Sequence, residues 1–331
     1  MIADTFRCFL VCKTGSGAVE AAVETRPLRE LPPGEVLIRV QCSSLNYKDA
    51  LATQGHPGVV SKFPHVPGID AAGIVEHSDS DKFRPGDAVL CTGYEQGSGR
   101  WGGWAEFVRA PADWVVPLPS GMSIDEAMVF GTAGFTAAQC VFSLEEHGVT
   151  PDNGPVSVSG ATGGVGCIAV MLLAKSGYQV TAVSGNPDRY DWLRSIGAAD
   201  IIARTDAVDD SKRPLLAARW AGGVDTVGGQ MLSTMLRSLK HRGCVAACGL
   251  VGGHELPLTV YPFILRGATL DGIDSANCPY DRRVKIWNRL AGEWKLGHVP
   301  NLVSEVNLDQ VKDTVAKMLR GETAGRILVR P

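Results

Sequence analysis

Two rhythms of apolar and polar residues divide the chain. Up to about residue 124, short β-prone runs alternate with Gly and Pro turns: VLIRVQCSSLN (36–46), AAGIVEHS (71–78), DAVLCTG (87–93) and WAEFVRA (104–110). Closely spaced runs with turn signals between them predict a small barrel or sandwich. From about residue 125, helical and strand patterns alternate instead. DEAMVFGTAGFTAAQCVFSLEEHG (125–148) has a helical composition with a stop at Gly148. PVSVSG (155–160) reads as a strand, GVGCIAVMLLAKSG (164–177) as a helix ended by Gly177, and YQVTAVSG (178–185) as the next strand. The helix PDRYDWLRSIGA, the strands ADIIA and VDTVGG, the helix GQMLSTMLRSLKHRG and the strand CVAACGLVGG continue the series towards GATLDGIDS (267–275). Strands separated by helices of this length predict a parallel, doubly wound sheet. A helix at DRRVKIWNRLAGEW (281–294), a polar loop, and a final helix and strand ending GRILVRP complete the chain. The polar run TDAVDDSKRP (205–214) reads as solvated surface.

At 331 residues the chain exceeds what one core usually serves, so two domains are expected. A hydrophobic content of 45% with 20% charged residues is that of an ordinary globular protein. A net charge of −3 gives no electrostatic reason to expect a nucleic-acid partner. The opening MIADTFRCFLVCK has no basic start followed by an apolar run, so no secretory signal is expected. The longest apolar run, CIAVMLLA (167–174), falls far short of the roughly 20 residues of a spanning helix, so no membrane partner is expected either. Nine cysteines, an odd number without a C-x-x-C pair, predict reduced thiols in a cytoplasm. Cys244 and Cys248 stand four apart in a strand-like run and are expected as buried small residues on one face; a zinc site there lacks a third ligand at useful spacing.

The stretch SGATGGVG (159–166) carries the first chemistry. Its register is Ala161-x-Gly163-x-x-Gly166, the dinucleotide fingerprint G-x-G-x-x-G with alanine at the first place. It lies between a strand and a helix, with a second strand soon after, as that fold requires. Gly163 lets the main chain approach a pyrophosphate, Gly166 lets the helix pack close to the strand, and the helix amides face the phosphates. Ala161 is tolerated if the turn keeps φ negative there.

The end of the second strand selects the cofactor. An NAD site usually places Asp or Glu there for the ribose hydroxyls. This chain reads Ser184-Gly185-Asn186-Pro187-Asp188-Arg189, which suits the 2′-phosphate of NADPH. Asn186 also reads as a helix cap with Pro187 at the first position, and both readings can hold. Asp188 is the dissenting residue.

SSLNYKDALA (43–52), HVPGIDAAGIV (65–75), FRPGDAVL, GGWAEFV and SGATGGVG together resemble the medium-chain dehydrogenase/reductase superfamily along nearly the whole chain. LNYKDALA, PGIDAAG, ATGGVG, CVAACGL, PFILRGATLDGIDS and GRILV narrow the resemblance to its zinc-free, quinone-oxidoreductase-like branch, in particular the NADPH-dependent acryloyl-CoA reductases. The resemblance implies an α/β fold. A GroES-like β-rich catalytic domain is expected at 1–124, a Rossmann doubly wound parallel sheet binding NADPH at 125–266, and a return segment at 267–331 completing the catalytic domain. The active site is expected in the cleft between the domains. The implied reaction is NADPH-dependent reduction of acryloyl-CoA to propionyl-CoA by hydride transfer to the β-carbon, with a small-molecule acyl-CoA as partner. Quinone reduction and reduction of longer 2-enoyl-CoA thioesters are the alternatives. A redox-sensing or lens-type protein that binds NADPH without turnover is a further one, against which the intact loop, Asn46 and Tyr47 speak. A homodimer is implied, pairing through the GATLDGID edge strand.

Zinc-dependent relatives place a Cys ligand near position 46 and a His-Glu pair near 69–70, where this chain has Asn46 and Gly68-Ile69-Asp70. Without a Lewis acid, hydride addition to a double bond polarised by a carbonyl remains. The enolate-like charge then needs hydrogen-bond donors and the α-carbon a proton. Tyr47 and Asn46 are the expected catalytic residues, Tyr47 as cofactor contact more than acid, while Asp49 is expected to fix the loop backbone. By resemblance, Thr162, Gly163, Gly164 and Val165 form the pyrophosphate loop, and Ser184, Gly185 and Asn186 the phosphate-selecting turn. Arg204 serves the adenosine end and Leu250 the nicotinamide ribose; Ile264 and Ser275 flank GATLDGID, and Arg326 closes over the cofactor. His65 is expected to be structural. Tyr94 and Trp101 lie on a glycine-rich loop that can act as a lid. The cluster Arg282-Arg283-Lys285 reads as a solvated helix face, or as a contact for CoA phosphates.

Overall fold

The structure, a computed structural model, describes residues 4–331. Two compact units divide the chain. One comprises the chain to Thr132 with Ala276–Gly292 and Pro300–Pro331; the other comprises Ala133–Ser275 and Glu293–Val299.

The first unit opens on a hairpin of β1 (Thr5–Lys13) and β2 (Val19–Pro27), paired antiparallel from Thr5↔Pro27 to Lys13↔Val19. β3 (Val36–Ser44) follows, then the short helix α1 (Tyr47–Thr53), β4 (Asp70–Ser78), β5 (Ala88–Thr92), β6 (Phe107–Ala110) and β7 (Val115–Pro117). β3, β4, β5 and β6 fall in the four β-prone runs of the sequence, while β1, β2 and β7 lie outside them; β3, β4, β5 and β7 are hydrogen-bonded in that order and β6 pairs with β3. Helix α2 (Ile124–Glu146), of which residues 124–132 belong to this unit and 133–146 to the second, is interrupted at Gly131, whose φ of 50° and ψ of −155° are not helical. By length and composition α2 could cross a membrane, but 89% of its most apolar stretch is buried, the state of a core helix.

The second unit alternates strand and helix: β8 (Val156–Val158), α3 (Gly164–Lys175), β9 (Val180–Ser184), α4 (Tyr190–Ser195), β10 (Asp200–Ala203), β11 (Trp220–Asp225), α5 (Gly229–Arg237), β12 (Leu239–Ala247), α6 (Tyr261–Arg266) and β13 (Thr269–Gly272). All pair in parallel, in the order β10-β9-β8-β11-β12-β13. The order reverses between β8 and β11, and open sheets of this kind bind ligands at the carboxyl ends of the strands beside that reversal. β8 and β11 are buried along their whole length, as strands covered on both faces must be.

The chain then returns to the first unit through α7 (Tyr280–Ala291), β14 (Val303–Asn307), α8 (Val311–Leu319) and β15 (Arg326–Arg330). β15 pairs antiparallel with β3, and β14 pairs parallel with β15. Leu308, Val311, Val315, Ile327 and Val329 from this return share one buried cluster with Phe6, Phe9, Leu10 and Trp104.

Several boundaries differ from expectation. The units divide after Thr132 and Ser275, against the expected 124 and 266, because β13 pairs with β12 from Cys244↔Thr269 to Ala247↔Gly272 and so belongs to the parallel sheet. The helix expected to run to Gly243 stops at Arg237, and β12 begins at Leu239. β12 ends at Ala247, so Cys244 is a buried strand residue while Cys248 lies beyond the strand, half-buried. The polar segment after β10 is mostly exposed, as expected of solvated surface, with Ala207, Val208 and Asp209 half-buried, and it is tied to the sheet from below. Arg237, 4% exposed, donates from Nη1 to Asp209 Oδ1 and to the carbonyls of Ser211 and Arg213, each at 3.0 Å. Arg266 reaches the carbonyl of Leu216 at 2.5 Å.

Candidate active site

The glycine loop joins β8 to α3. Ala161 is fully buried and is not among the residues with positive φ. The left-handed position of the turn is Gly160, with φ 59°. The tight turn assigned to the first glycine of the fingerprint is therefore made one residue earlier, which frees position 161 for alanine. A Cβ on Gly166 would lie 2.3 Å from the carbonyl oxygen of Gly160, so helix and strand approach as closely as a glycine allows. Gly163 caps α3 with extended backbone, and Gly164 and Val165 open its first turn, so their amides point out of the helix end beside Thr162.

At the ends of β9 and β10 a second polar cluster forms. The backbone amide of Arg204 donates to Ser184 O at 3.0 Å, and its guanidinium lies over Gly185: a Cβ there would meet Arg204 Cζ and Nη2 at 3.0 Å. Ser184 Oγ accepts from the amide of Asn186 at 3.1 Å, and Asn186 Oδ1 accepts from the amide of Asp188 at 3.1 Å. Asn186 thus caps the turn Pro187–Arg189 while standing in the same cluster. An exposed guanidinium, a hydroxyl and an amide at this place fit a ribose 2′-phosphate.

Between β8 and β11 the floor of this region is held by residues that the sequence reading passed over. Asp225, fully buried, accepts from Ser159 Oγ at 2.6 Å and from the amide of Gly228 at 2.7 Å. Ser159 Oγ accepts in turn from the amide of Thr226 at 2.9 Å, and the amide of Cys248 donates to Asp225 O at 2.9 Å. Burial pushes the Asp225 carboxyl above its ordinary range, against the hydrogen bond from Ser159. The signal was a lone Asp ending an apolar strand before TVGG. Of the other expected contacts in this unit, Leu250 and Ile264 are 67% and 72% exposed, and Ser275 Oγ accepts from Thr136 Oγ1 at 2.8 Å.

In the first unit, Asn46 and Tyr47 form the turn from β3 into α1. The amide nitrogen of Asn46 donates to Asp49 Oδ2 at 2.9 Å. Its side-chain Nδ2 donates to Asp70 Oδ2 at 2.8 Å and to Asp49 Oδ2 and Ser44 Oγ at 3.2 Å, and its Oδ1 accepts from Arg326 Nη1 at 3.3 Å. At 9% exposure, with these partners, Asn46 has no donor left for a substrate; the reacting role expected of it gives way to a supporting one. Asp49 holds a second loop, its Oδ1 accepting from the amides of Gly68 at 3.0 Å and Ile69 at 2.8 Å. Burial, and then the charge of Asp70, push the Asp49 carboxyl up to about 7, against the bonds donated by Ile69 and Asn46.

Asp70 also takes Ser44 Oγ at 2.5 Å, and the amide and hydroxyl of Thr132 at 2.9 and 2.6 Å. Arg326 is 2% exposed and donates to Val129 O at 2.7 Å and Ser44 Oγ at 3.0 Å, so it is a buried strut rather than the closure over a cofactor that was expected. Tyr47, by contrast, is 47% exposed at the first position of α1.

The expected lid is pinned. Tyr94 stacks on Trp114 with ring centroids 5.1 Å apart, and the Arg283 guanidinium sits 4.5 Å from the centre of the Tyr94 ring. Trp101 Nε1 donates to Pro64 O at 2.9 Å. Arg283 is fully buried and donates to the carbonyls of Thr92 at 2.8 Å and Ala276 at 3.0 Å, so it belongs neither to a solvated face nor to a phosphate contact. His65 is buried with its Nε2 3.0 Å from Gly97 O, a structural histidine.

The donors present do not fit a zinc ion. Among the described residues no three His, Cys, Asp or Glu side chains converge, and at the positions where zinc relatives carry ligands Asn46 and Asp70 are committed to Ser44, Thr132 and Arg326.

Comparison with known proteins accords with this geometry. Residues 32–120 match the alcohol dehydrogenase GroES-like domain, and residues 164–290 the family described as zinc-binding dehydrogenase. The chain is 46% identical to acrylyl-CoA reductase AcuI of Ruegeria pomeroyi over 95% of both chains. It is 45% identical to the putative quinone oxidoreductase YhfP of Bacillus subtilis over 94% of this chain and 95% of that one. The structure of yhfP with NAD bound superposes with a TM-score of 0.96 at 43% identity, covering 99% of this chain and 100% of that one. The yhdH oxidoreductase of Salmonella enterica in complex with NADP gives a TM-score of 0.93 at 42% identity, covering 98% and 99%. The chain belongs to the medium-chain dehydrogenase/reductase superfamily, in its quinone-oxidoreductase-like branch that includes the acrylyl-CoA reductases.

Proposed function

We propose that the protein is an NADPH-dependent reductase of the activated C=C bond of acryloyl-CoA, giving propionyl-CoA without zinc. The observation that carries the reading is the near-full-length likeness to the Ruegeria pomeroyi acrylyl-CoA reductase, joined to Arg204 lying over Gly185 where an NAD enzyme would usually carry a carboxylate. NADPH, when bound, supplies the hydride that goes to the β-carbon. The chain's own residues do the rest. The amides at the start of α3 hold the pyrophosphate; Ser184, Asn186 and Arg204 hold the 2′-phosphate. Asp225 and Ser159 keep the strand ends at the switch point in register. Tyr47 meets the reacting end of the cofactor, and the proton for the α-carbon comes from its phenol or from water.

Following NADPH oxidation by the purified protein with acryloyl-CoA, with NADH and a benzoquinone in parallel, tests the reading. Fast thioester turnover with NADPH alone supports it. Quinone turnover without thioester turnover favours the second reading, for which the likeness to YhfP speaks.

The working form is a cytoplasmic homodimer joined through β13. That strand is an open edge of the parallel sheet, and the neighbouring segment exposes Val260, Ile264 and Leu265 at 62%, 72% and 54%. An open edge beside exposed apolar residues is a pairing surface for a second copy. Nine cysteines, none of them in a disulfide, suit a reducing compartment.

A further inference from the structure

We propose that Asp70 and Arg326 are positioning residues for the reaction, acting on Tyr47 through the side chain of Asn46. Two buried groups of opposite charge grip one amide from its two ends. Asp70 Oδ2 takes Asn46 Nδ2 at 2.8 Å, and Arg326 Nη1 gives to Asn46 Oδ1 at 3.3 Å. Turning that amide over would set its N–H groups against the guanidinium and its carbonyl against the carboxylate, so one orientation is enforced. Neither grip is loose. Asp70 is 0% and Arg326 2% exposed, and Ser44 Oγ links them, giving to Asp70 at 2.5 Å and accepting from Arg326 at 3.0 Å.

The fixed side chain fixes the backbone that leads into α1. Asn46 N is bonded to Asp49 Oδ2 at 2.9 Å, and Asn46 O accepts from the amide of Ala50 at 3.2 Å. Tyr47 is the next residue and the first of the helix, so the direction of its Cα–Cβ bond is set by the Asn46 peptide. Its ring is 47% exposed.

The same two residues also reach across the break in α2. Asp70 binds the amide of Thr132 at 2.9 Å, and Arg326 Nε binds Val129 O at 2.7 Å. The turn that carries Tyr47 and the two sides of Gly131 are therefore held by one charged pair. Burying two ions is a poor route to stability where an apolar pair of similar volume would serve. What the ions add is direction, because each bond fixes an angle as well as a distance.

The inference rests on Tyr47 meeting the reacting end of the cofactor. The test is a double-mutant cycle of Asp70→Asn with Tyr47→Ala in the full chain, reading kcat and the KM for NADPH. If Asp70 acts through Tyr47, D70N lowers kcat by about tenfold with the KM for NADPH within about twofold, and costs less than about twofold once Tyr47 is alanine. An equal loss in both backgrounds, or no loss of kcat in D70N, overturns the proposal. Should D70N fail to fold, Arg326→Lys enters the same cycle, since lysine keeps the charge but cannot reach Asn46, Ser44 and Val129 together. If the wild type reduces quinone but no thioester, the substrate assignment falls and the cycle is read on quinone. If the wild type oxidises no NADPH with either acceptor, the positioning role falls with the reaction.

Discussion

The carboxylate of Asp70 accepts from both the backbone amide and the hydroxyl of Thr132, at 2.9 and 2.6 Å, directly after Gly131 breaks α2. A helix that restarts has orphan amides at its first turn, and an anion there satisfies them and complements the dipole. The break exists because the space is taken. A Cβ on Gly131 would meet Asp70 Oδ2 at 2.5 Å, Ser44 Oγ at 2.8 Å and Arg326 Nη2 at 2.9 Å.

Gly131→Ala is therefore expected to destabilise the first unit severely. Its φ of 50° with ψ of −155° is a glycine conformation, and the added methyl also displaces a charged network. A loss of about 3 kcal/mol or more is expected in urea denaturation, larger than for most single substitutions. An alanine variant within about 1 kcal/mol of wild type would show that the network yields easily.

Arg204→Ala is expected to raise the KM for NADPH by roughly 10- to 100-fold, the worth of a lost charge-assisted contact, while leaving the KM for NADH nearly unchanged. Steady-state kinetics with both cofactors checks this. An equal rise for both would move Arg204 from the 2′-phosphate to the shared part of the cofactor.

Gly166→Ala puts a methyl 2.3 Å from Gly160 O and must push the start of α3 away from β8. The amides of its first turn, proposed to face the pyrophosphate, move with it. NADPH affinity, measured by calorimetry, is expected to fall on the order of tenfold, the equivalent of about one hydrogen bond to a charged group. Unchanged affinity would mean that the pyrophosphate is held elsewhere.

The Asp49 carboxyl, pushed up to about 7 from its ordinary 3.8 by burial and then by Asp70, gives stability a pH dependence of definite sign. A carboxyl that binds its proton more tightly folded than unfolded favours the folded state in acid. That contribution is complete below the unfolded value and is lost as pH rises through about 7. Urea denaturation between about pH 6 and pH 8 should show the wild type weakening as pH rises, and Asp70→Asn, which removes the neighbouring charge, moving the midpoint down. A wild type that strengthens over that window contradicts the sign.

Much of the cofactor half was legible in the sequence, because its elements announce themselves locally. The strand-loop-helix run around SGATGGVG and the Ser184–Asn186 turn are each encoded within a few consecutive residues. What was missed depends on residues far apart in sequence. Gly131 looks like one small residue in a helical run, and only Asp70, Ser44 and Arg326 converging on it force the break. Asn46 looked like a reacting group because nothing nearby shows that Asp70 and Arg326 consume its amide. Arg326 is expected over the cofactor and Arg283 on a solvated face, since long cations are seldom fully buried, yet backbone carbonyls of other elements take up their donors. The start of β12 was hidden because LKHRG is helical in composition, and tertiary pairing with β11 overrides that preference.

The last strand of the chain, β15, lies against β3 from the start of the same unit, with Ile327 and Val329 in one core with Phe6 and Leu10. On the ribosome this means that the unit synthesised first is the last to be completed. At about 5–20 residues per second, its early apolar face waits many seconds for the strand that covers it. From the chain beyond Ser275 the second unit takes only the short piece Glu293–Val299. A nascent chain arrested before β15 emerges should therefore yield a protease-resistant core from the later-made unit and leave the amino-terminal one open to cleavage, the reverse of the order of synthesis.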